Sequence, residues 1–245
     1  MHNRDMSEPL QKNQSPRITQ TAENYLLSIA VLHEDGVNPH ISELAAYLRR
    51  IPKGEEVGTT LASVSGMIQR MTKDGLLEIT KDKRILLSPM GMNYAKNVVR
   101  RHRLSERLLV DLLDIPLERA ESEAHSLEHG ISEELLSKIE EKLNFPETCP
   151  YGRPIYRPED MEISTTDANS IKLSDAVQGD TYSIVRIPDE DYPLLSFLVS
   201  NKILPGQEIR VEERAVYRGV IDITHSESSL SLGMDVAGRI RVRAI

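Results

Sequence analysis

The 245-residue chain has a single cysteine, Cys149, no tryptophan, and two phenylalanines among aromatics that make up 4% of it. One thiol cannot form an intramolecular disulfide, so the chain is not a cystine-stapled secreted scaffold. A core so poor in aromatic rings must be built from Leu, Ile, Val and Ala, which suits packed helices better than an aromatic-rich barrel throughout. There is no run of about 18 apolar residues and no charged-then-apolar leader. Neither membrane insertion nor export is therefore expected, and the expected location is cytoplasmic. No internal repeat is visible. What remains is enough chain for one large or two to three small domains with real cores.

The net charge of −8 argues against a nonspecific nucleic-acid binder. The average hides a segregation, because residues 1–110 hold 16 Lys and Arg against 12 Asp and Glu, and the remainder holds 14 against 26. A basic front and an acidic back fit a DNA-binding module followed by one that attracts cations.

Residues 1–17 are polar, contain Pro9 and Pro16 and show no apolar period, so a disordered tail is expected. From Thr19 the period becomes helical, with Tyr25, Leu26, Ile29 and Leu32 on one face and a stop by Gly36. A short helix follows over Ile41 to Arg49, then a loop over Ile51 to Gly58. The next helix runs from about Thr60 to Lys73, with Leu61, Val64, Ile68 and Met71 facing inward and Ser63, Ser65, Gln69 and Arg70 free to point outward. LLEIT and ILLS, separated by the basic KDKR, read as a small hairpin. Three helices and a hairpin outline a winged helix-turn-helix.

Pro89 opens a long helix to about Leu113, and Asp114-Ile115-Pro116 breaks it. The following helix contains Glu121 to His129, ESEAHSLEH, which sets Glu121, His125, Glu128 and His129 within roughly a third of a turn at about 100° per residue. Upstream, HRLSE sets His102 and Glu106 four residues apart. Six nitrogen and oxygen donors thus come from two helices, and a divalent cation accounts for gathering Glu and His with no Lys or Arg as local partner. Solvated charge on an amphipathic face is the plain alternative. HSLEH also satisfies H-x-x-E-H, the inverted zincin signature, in which His125 and His129 hold Zn and Glu128 activates water. Ser132 caps a further helix to about Leu143, and the wide apolar faces of these helices suit a dimer. FPETCPYGRPIYRPED is a proline-rich loop. The runs TYSIVRI, QEIRVEE, VIDIT, LSLGM and RIRVRAI give a small barrel of about five strands, and Cys149, His33, His40 and His225 are expected to be incidental or solvated.

With these parts in this order the chain resembles the diphtheria-toxin-repressor family of metal-dependent transcriptional regulators from about Thr19 to Tyr156. The likeness is most specific in RRHRLSERLL and in the Glu-His pair before Gly130-Ile131-Ser132. A weaker likeness to the SH3-like, FeoA-type domain covers Leu173 to Ile245. The fold class this implies is mainly α with a small β domain. Its expected units are a tail (1–17), a winged helix-turn-helix (18–89), a helical dimerisation and metal-binding domain (90–160), a linker (161–172) and an SH3-like FeoA-type barrel (173–245). The resemblance implies a homodimer that binds a palindromic double-stranded DNA operator when loaded with Mn(II) or Fe(II), Zn(II) also being admissible. It implies repression of genes for metal homeostasis, no enzymatic activity, no small organic substrate and no membrane.

By position, His102, Glu106 and Glu121 match the family's ancillary site, and His125, Glu128 and His129 its primary site. The N-terminal ligand aligns with Asn24, with Glu23 beside it as a substitute, and a C-terminal-domain ligand falls near Asp191, with Glu190 nearly as good. DNA contacts are expected from Thr60, Ser63, Ser65, Gln69 and Arg70 on the recognition helix and from Lys81, Lys83 and Arg84 on the wing. The competing readings are the zinc peptidase and a metal-independent winged-helix protein.

Overall fold

The computed structural model describes residues 18–50, 57–160, 163, 169–226 and 228–245. The expected tail, most of the loop between the two DNA-reading helices and most of the expected linker lie outside the described residues. Helix α1 (Gln20–Glu34) begins where Thr19 accepts a hydrogen bond from the Ala22 amide at 3.2 Å. Helices α2 (Ile41–Leu48) and α3 (Leu61–Lys73) follow, then the antiparallel pair β1 (Leu77–Ile79) and β2 (Ile85–Leu87). Val64, Ile68 and Met71 of α3 are buried as their spacing predicts. Leu61 is not: it shares their helical face but sits at the very start of α3 and is 57% exposed.

Helix α4 (Pro89–Arg107) is capped by Ser88 and continues as a π-helical turn over Leu108–Leu112. Its N-terminus is pressed onto the winged unit. A Cβ on Gly91 would lie 1.9 Å from the Leu76 carbonyl oxygen, the Ser88 amide donates to that same oxygen at 3.0 Å, and the Ser88 hydroxyl donates to Gly75. The first half of α4 buries Ala95, Val98 and Val99 in the core that α1 to α3 and the hairpin share. Its second half buries Leu104 against Leu136, Ile139 and Ile155. One helix therefore belongs to two cores. Helices α5 (Leu117–Glu128) and α6 (Glu133–Lys142) complete the helical part, and the proline-rich loop returns along α4, with Arg107 donating to the Thr148 carbonyl at 2.7 Å.

The C-terminal part contains β3 (Ile171–Lys172), β4 (Thr181–Arg186), α7 (Tyr192–Ser200), β5 (Glu208–Ala215), β6 (Val220–His225), β7 (Ser228–Gly233), α8 (Met234–Ala237) and β8 (Arg241–Ala244). The sheet order is β3-β8-β4-β5-β6-β7 with every pair antiparallel, and bulges interrupt the register after Ile184 and Val211. The five expected strands are present with a two-residue edge strand. Helix α7 was not anticipated: YPLLSFLVS reads as a buried strand or as a helix, and the deciding features are the Asp191 side chain that accepts from Leu194 and Pro193 in the first turn. No helix among the described residues is long and apolar enough to cross a membrane.

Candidate metal centre

Helices α4 and α5 pack side by side, and His102 and Glu106 of the first meet Glu121, His125 and Glu128 of the second at the seam. His102 Nδ1 donates to Glu128 Oε2 at 2.6 Å, and its Nε2 stands 2.9 Å from Glu106 Oε1. His125 Nε2 lies 3.0 Å from Glu121, and its ring centroid is 4.5 Å from that of His102. One ligand atom each from His102, His125 and Glu128 all fall within 4.8 Å of one another. His129 extends the cluster, with Nε2 3.5 Å from Glu128 Oε1 and Nδ1 donating to Glu23 Oε2 of α1 at 2.6 Å. The six donors expected from spacing are therefore brought together as one continuous chain. His102 joins the two expected ligand sets, because its ring touches a carboxylate of each.

Three carboxylates here are buried, Glu106 and Glu128 completely. Burial alone would push the His102 pKa down, but the carboxylates of Glu106 and Glu128 reverse that and push it up to about 10. Burial would likewise raise Glu128, yet the charge and hydrogen bond of His102 pull it down to about 2. Glu106 is also lowered, against its burial, by His102, whereas burial leaves Glu121 raised. A protonated His102 thus does in the metal-free protein what a cation would do. The donor chemistry fits a divalent metal on a further observation: Glu128 Oε1 and Asn24 Oδ1 are buried without a hydrogen bond of good geometry.

On α1, Glu23 bonds to His129 of the cluster and also pairs with Arg101, and the neighbouring Asn24 is buried. Asp191 caps α7 and pairs with Arg239 at 3.2 Å. Its neighbours Asp189 and Glu190 do border a cavity of about 20 Å³ shared with His102, Glu121 and His125.

Sequence reasoning missed three features. Cys149 is buried, and burial together with the charge of the nearby Glu106 pushes its thiol pKa up. His225 is buried with Nδ1 donating to the Glu208 carbonyl at 2.8 Å, and His33 Nε2 donates to the Ile85 carbonyl at 3.1 Å, so neither is merely solvated. Most extensive is a second charge assembly. Glu34 at the end of α1 takes two hydrogen bonds from Arg103 at 2.7 Å each and one from the Tyr156 hydroxyl at 2.6 Å, with Arg153 at 3.3 Å. Arg153 continues to Asp189 at 3.1 Å. RRHR showed a basic run, but nothing in it marked Arg103 as fully buried.

On the winged unit, Ser63, Gln69, Arg70, Lys81 and Lys83 are exposed and Ser65 is half-buried. Thr60 and Ser63 bond to each other as the cap of α3, and Arg84 donates to the Asn38 carbonyl at 2.7 Å, which holds the wing to the turn after α1.

Residues 88–157 match the family described as iron dependent repressor, metal binding and dimerisation domain, and residues 171–244 match the FeoA domain. The chain is 30% identical over 237 residues to the iron-dependent repressor IdeR of Mycobacterium leprae, covering 93% of this chain and 99% of the relative. It is 28% identical over 235 residues to the diphtheria toxin repressor of Corynebacterium glutamicum, covering 93% and 98%. A solved manganese-dependent transcriptional repressor in complex with manganese superposes with a TM-score of 0.79 at 27% identity, covering 91% of this chain and all of that one.

Proposed function

The chain belongs to the diphtheria-toxin-repressor family of metal-dependent transcriptional repressors, and from that premise we propose that it binds a palindromic operator as a homodimer when loaded with Mn(II) or Fe(II), controlling metal homeostasis. Zn(II) is the admissible third ion, since the donors are nitrogen and oxygen and affinity order alone favours it. The observation that carries this reading is the convergence of His102, His125 and Glu128 from two helices at a buried seam. His102, His125, Glu128 and His129 would hold the ion, with Glu106, Glu121 and Glu23 beside them. When bound, the cation supplies positive charge where the carboxylates meet.

The residues explain why this bears on DNA. Glu23 and His129 tie α1 of the reading unit to α5, and α4 carries His102 and Glu106 while its N-terminus is fixed to β1. Ser63, Ser65, Gln69 and Arg70 would meet bases or phosphates, and Lys81 and Lys83 the backbone, with Thr60 and Arg84 holding helix and wing in place. The expected units serve as reading head (18–89), dimer and metal body (90–160) and appended sheet domain (173–245). Dimerisation is supported by Leu112, Leu113, Leu127, Leu135 and Phe145, large apolar side chains left exposed in the helical part.

The peptidase alternative fares poorly: Glu128 is fully buried against His102, and the cavity that borders His102 and His125 is of about the size of one water. Operator affinity measured by fluorescence anisotropy across buffered Mn(II), Fe(II) and Zn(II) tests the proposal. Each active ion should tighten binding by roughly 5- to 150-fold over the chelated protein. Equal affinity with and without chelator would refute it.

A further inference from the structure

The C-terminal sheet carries a group of cations that neither the metal cluster nor DNA reading uses. Arg186 at the end of β4 stands directly opposite Arg241 of β8, and Arg243 lies two residues further along β8. Directly opposed residues, and residues two apart on one strand, share a face, and like charges placed this way destabilise a sheet. The pairing is also poorly neutralised. Arg186 is only 8% exposed, and the carboxylate it pairs with, Asp35 at 2.6 Å, is shared with Arg153. Arg241 directs its donors to neutral acceptors, the Ser170 hydroxyl at 3.2 Å and carbonyl at 2.7 Å. Burial and the charge of Arg153 pull the Arg186 pKa down, as a locally positive potential must.

All three arginines border a half-open cavity of about 430 Å³ between the sheet and the proline-rich loop. Its loop wall is fixed in place: at Gly152, φ +89°, a Cβ would lie 1.9 Å from the Val185 carbonyl oxygen, so the loop touches β4 backbone to backbone. Thr148 adds a hydroxyl to the lining. Glu34 also reaches the wall, but its charge is matched by Arg103, and Glu147 is exposed.

We propose that this cavity binds a small anion bearing a carboxylate or a phosphate, held by Arg186, Arg241 and Arg243. Paired charged oxygens match the guanidinium fork, and two forks facing each other across a strand pair set the anion between them. Because one wall is the loop that also carries Arg153, an occupied cavity fastens the sheet domain to the body of the molecule.

The test uses the full chain, stripped of metal so that the probes cannot act by chelation. Thermal unfolding and isothermal titration are run with inorganic phosphate and with succinate, each against chloride at matched ionic strength. At about ten times its Kd a bound probe raises Tm by about 3–6 °C, and the stronger of the two identifies the preferred oxygen chemistry. Arg243→Ala, at an exposed position, weakens binding about tenfold, while Arg210→Ala on β5, outside the cavity, leaves it unchanged. Arg241→Gln gives the same loss and stands in should Arg243→Ala fold poorly. Equal shifts with chloride, or undiminished binding in the Arg243 and Arg241 variants, would overturn the proposal.

Discussion

Two buried charge assemblies lie side by side on α4, and adjacent residues serve them: His102 faces the Glu and His cluster, and Arg103 faces Glu34. In the second assembly the cations are guanidinium groups, charged at every accessible pH and bound through planar forks. In the first, the charge is a proton on an imidazole squeezed between carboxylates, which a metal ion can replace. The same elements are joined twice, once by a permanent link and once by an exchangeable one. On the proposed function, the Arg103 assembly is an anchor that holds α1, α4 and the proline-rich loop whatever the metal supply, and the His102 cluster is the part that would report on it.

The contrast can be broken most severely at Glu34. Glu34→Gln leaves Arg103 and Arg153 buried without their full counter-charge, and denaturant unfolding should show a loss of about 3–5 kcal/mol in the presence of chelator and of metal alike. Should the loss appear only with metal, the two assemblies are one. Next in size is Glu128→Gln, which removes the carboxylate shared by His102 and His125. The roughly 5- to 150-fold tightening of operator binding by metal should vanish in anisotropy titrations, with far-UV circular dichroism unchanged.

A smaller effect separates the two by pH. His102 is raised from 6.5 to about 10, so its charge contributes stability that is full below about pH 6.5 and is lost as pH climbs through 10. Urea midpoints of the metal-free protein should fall across that window and flatten in His102→Gln. Glu128 acts in the opposite sense, its contribution being present above about pH 4.5 and lost as pH falls towards 2. Metal affinity measured by calorimetry should rise with pH over the His102 window, because ligation requires the neutral ring. The smallest effect is at Asp191: Asp191→Ala removes a helix cap for about 1 kcal/mol and should leave the metal response intact.

The legible parts of this chain are those with a period. Helix spacing placed Glu121, His125, Glu128 and His129 on one face, and the folded chain adds only that α4 brings His102 and Glu106 to the same seam. A polar residue ahead of each periodic run marked the starts near Thr19 and Ser132, and Pro89 marked the start of the long helix after Ser88. The parts that escaped are long-range or locally ambiguous. Glu34 and Arg153 are 119 positions apart, and no local pattern ties one to the other. An apolar stretch such as that of α7 satisfies both strand and helix until its cap is weighed against its neighbours. Of the side chains named as alternatives to the aligned ligands, Glu23 bonds to His129 and Glu190 borders the cavity shared with His102 and His125.

The close seating of Gly91 on the Leu76 backbone makes the reading head and α4 a single lever. His102 lies 13 residues beyond Pro89, about 20 Å along the shaft at 1.5 Å per residue, and the glycine contact leaves no slack at the near end. On the proposed function, a tilt imposed where α4 meets a metal would pass through this contact to α3, so that exchanging a proton for a metal would be read out as the angle at which α3 meets DNA.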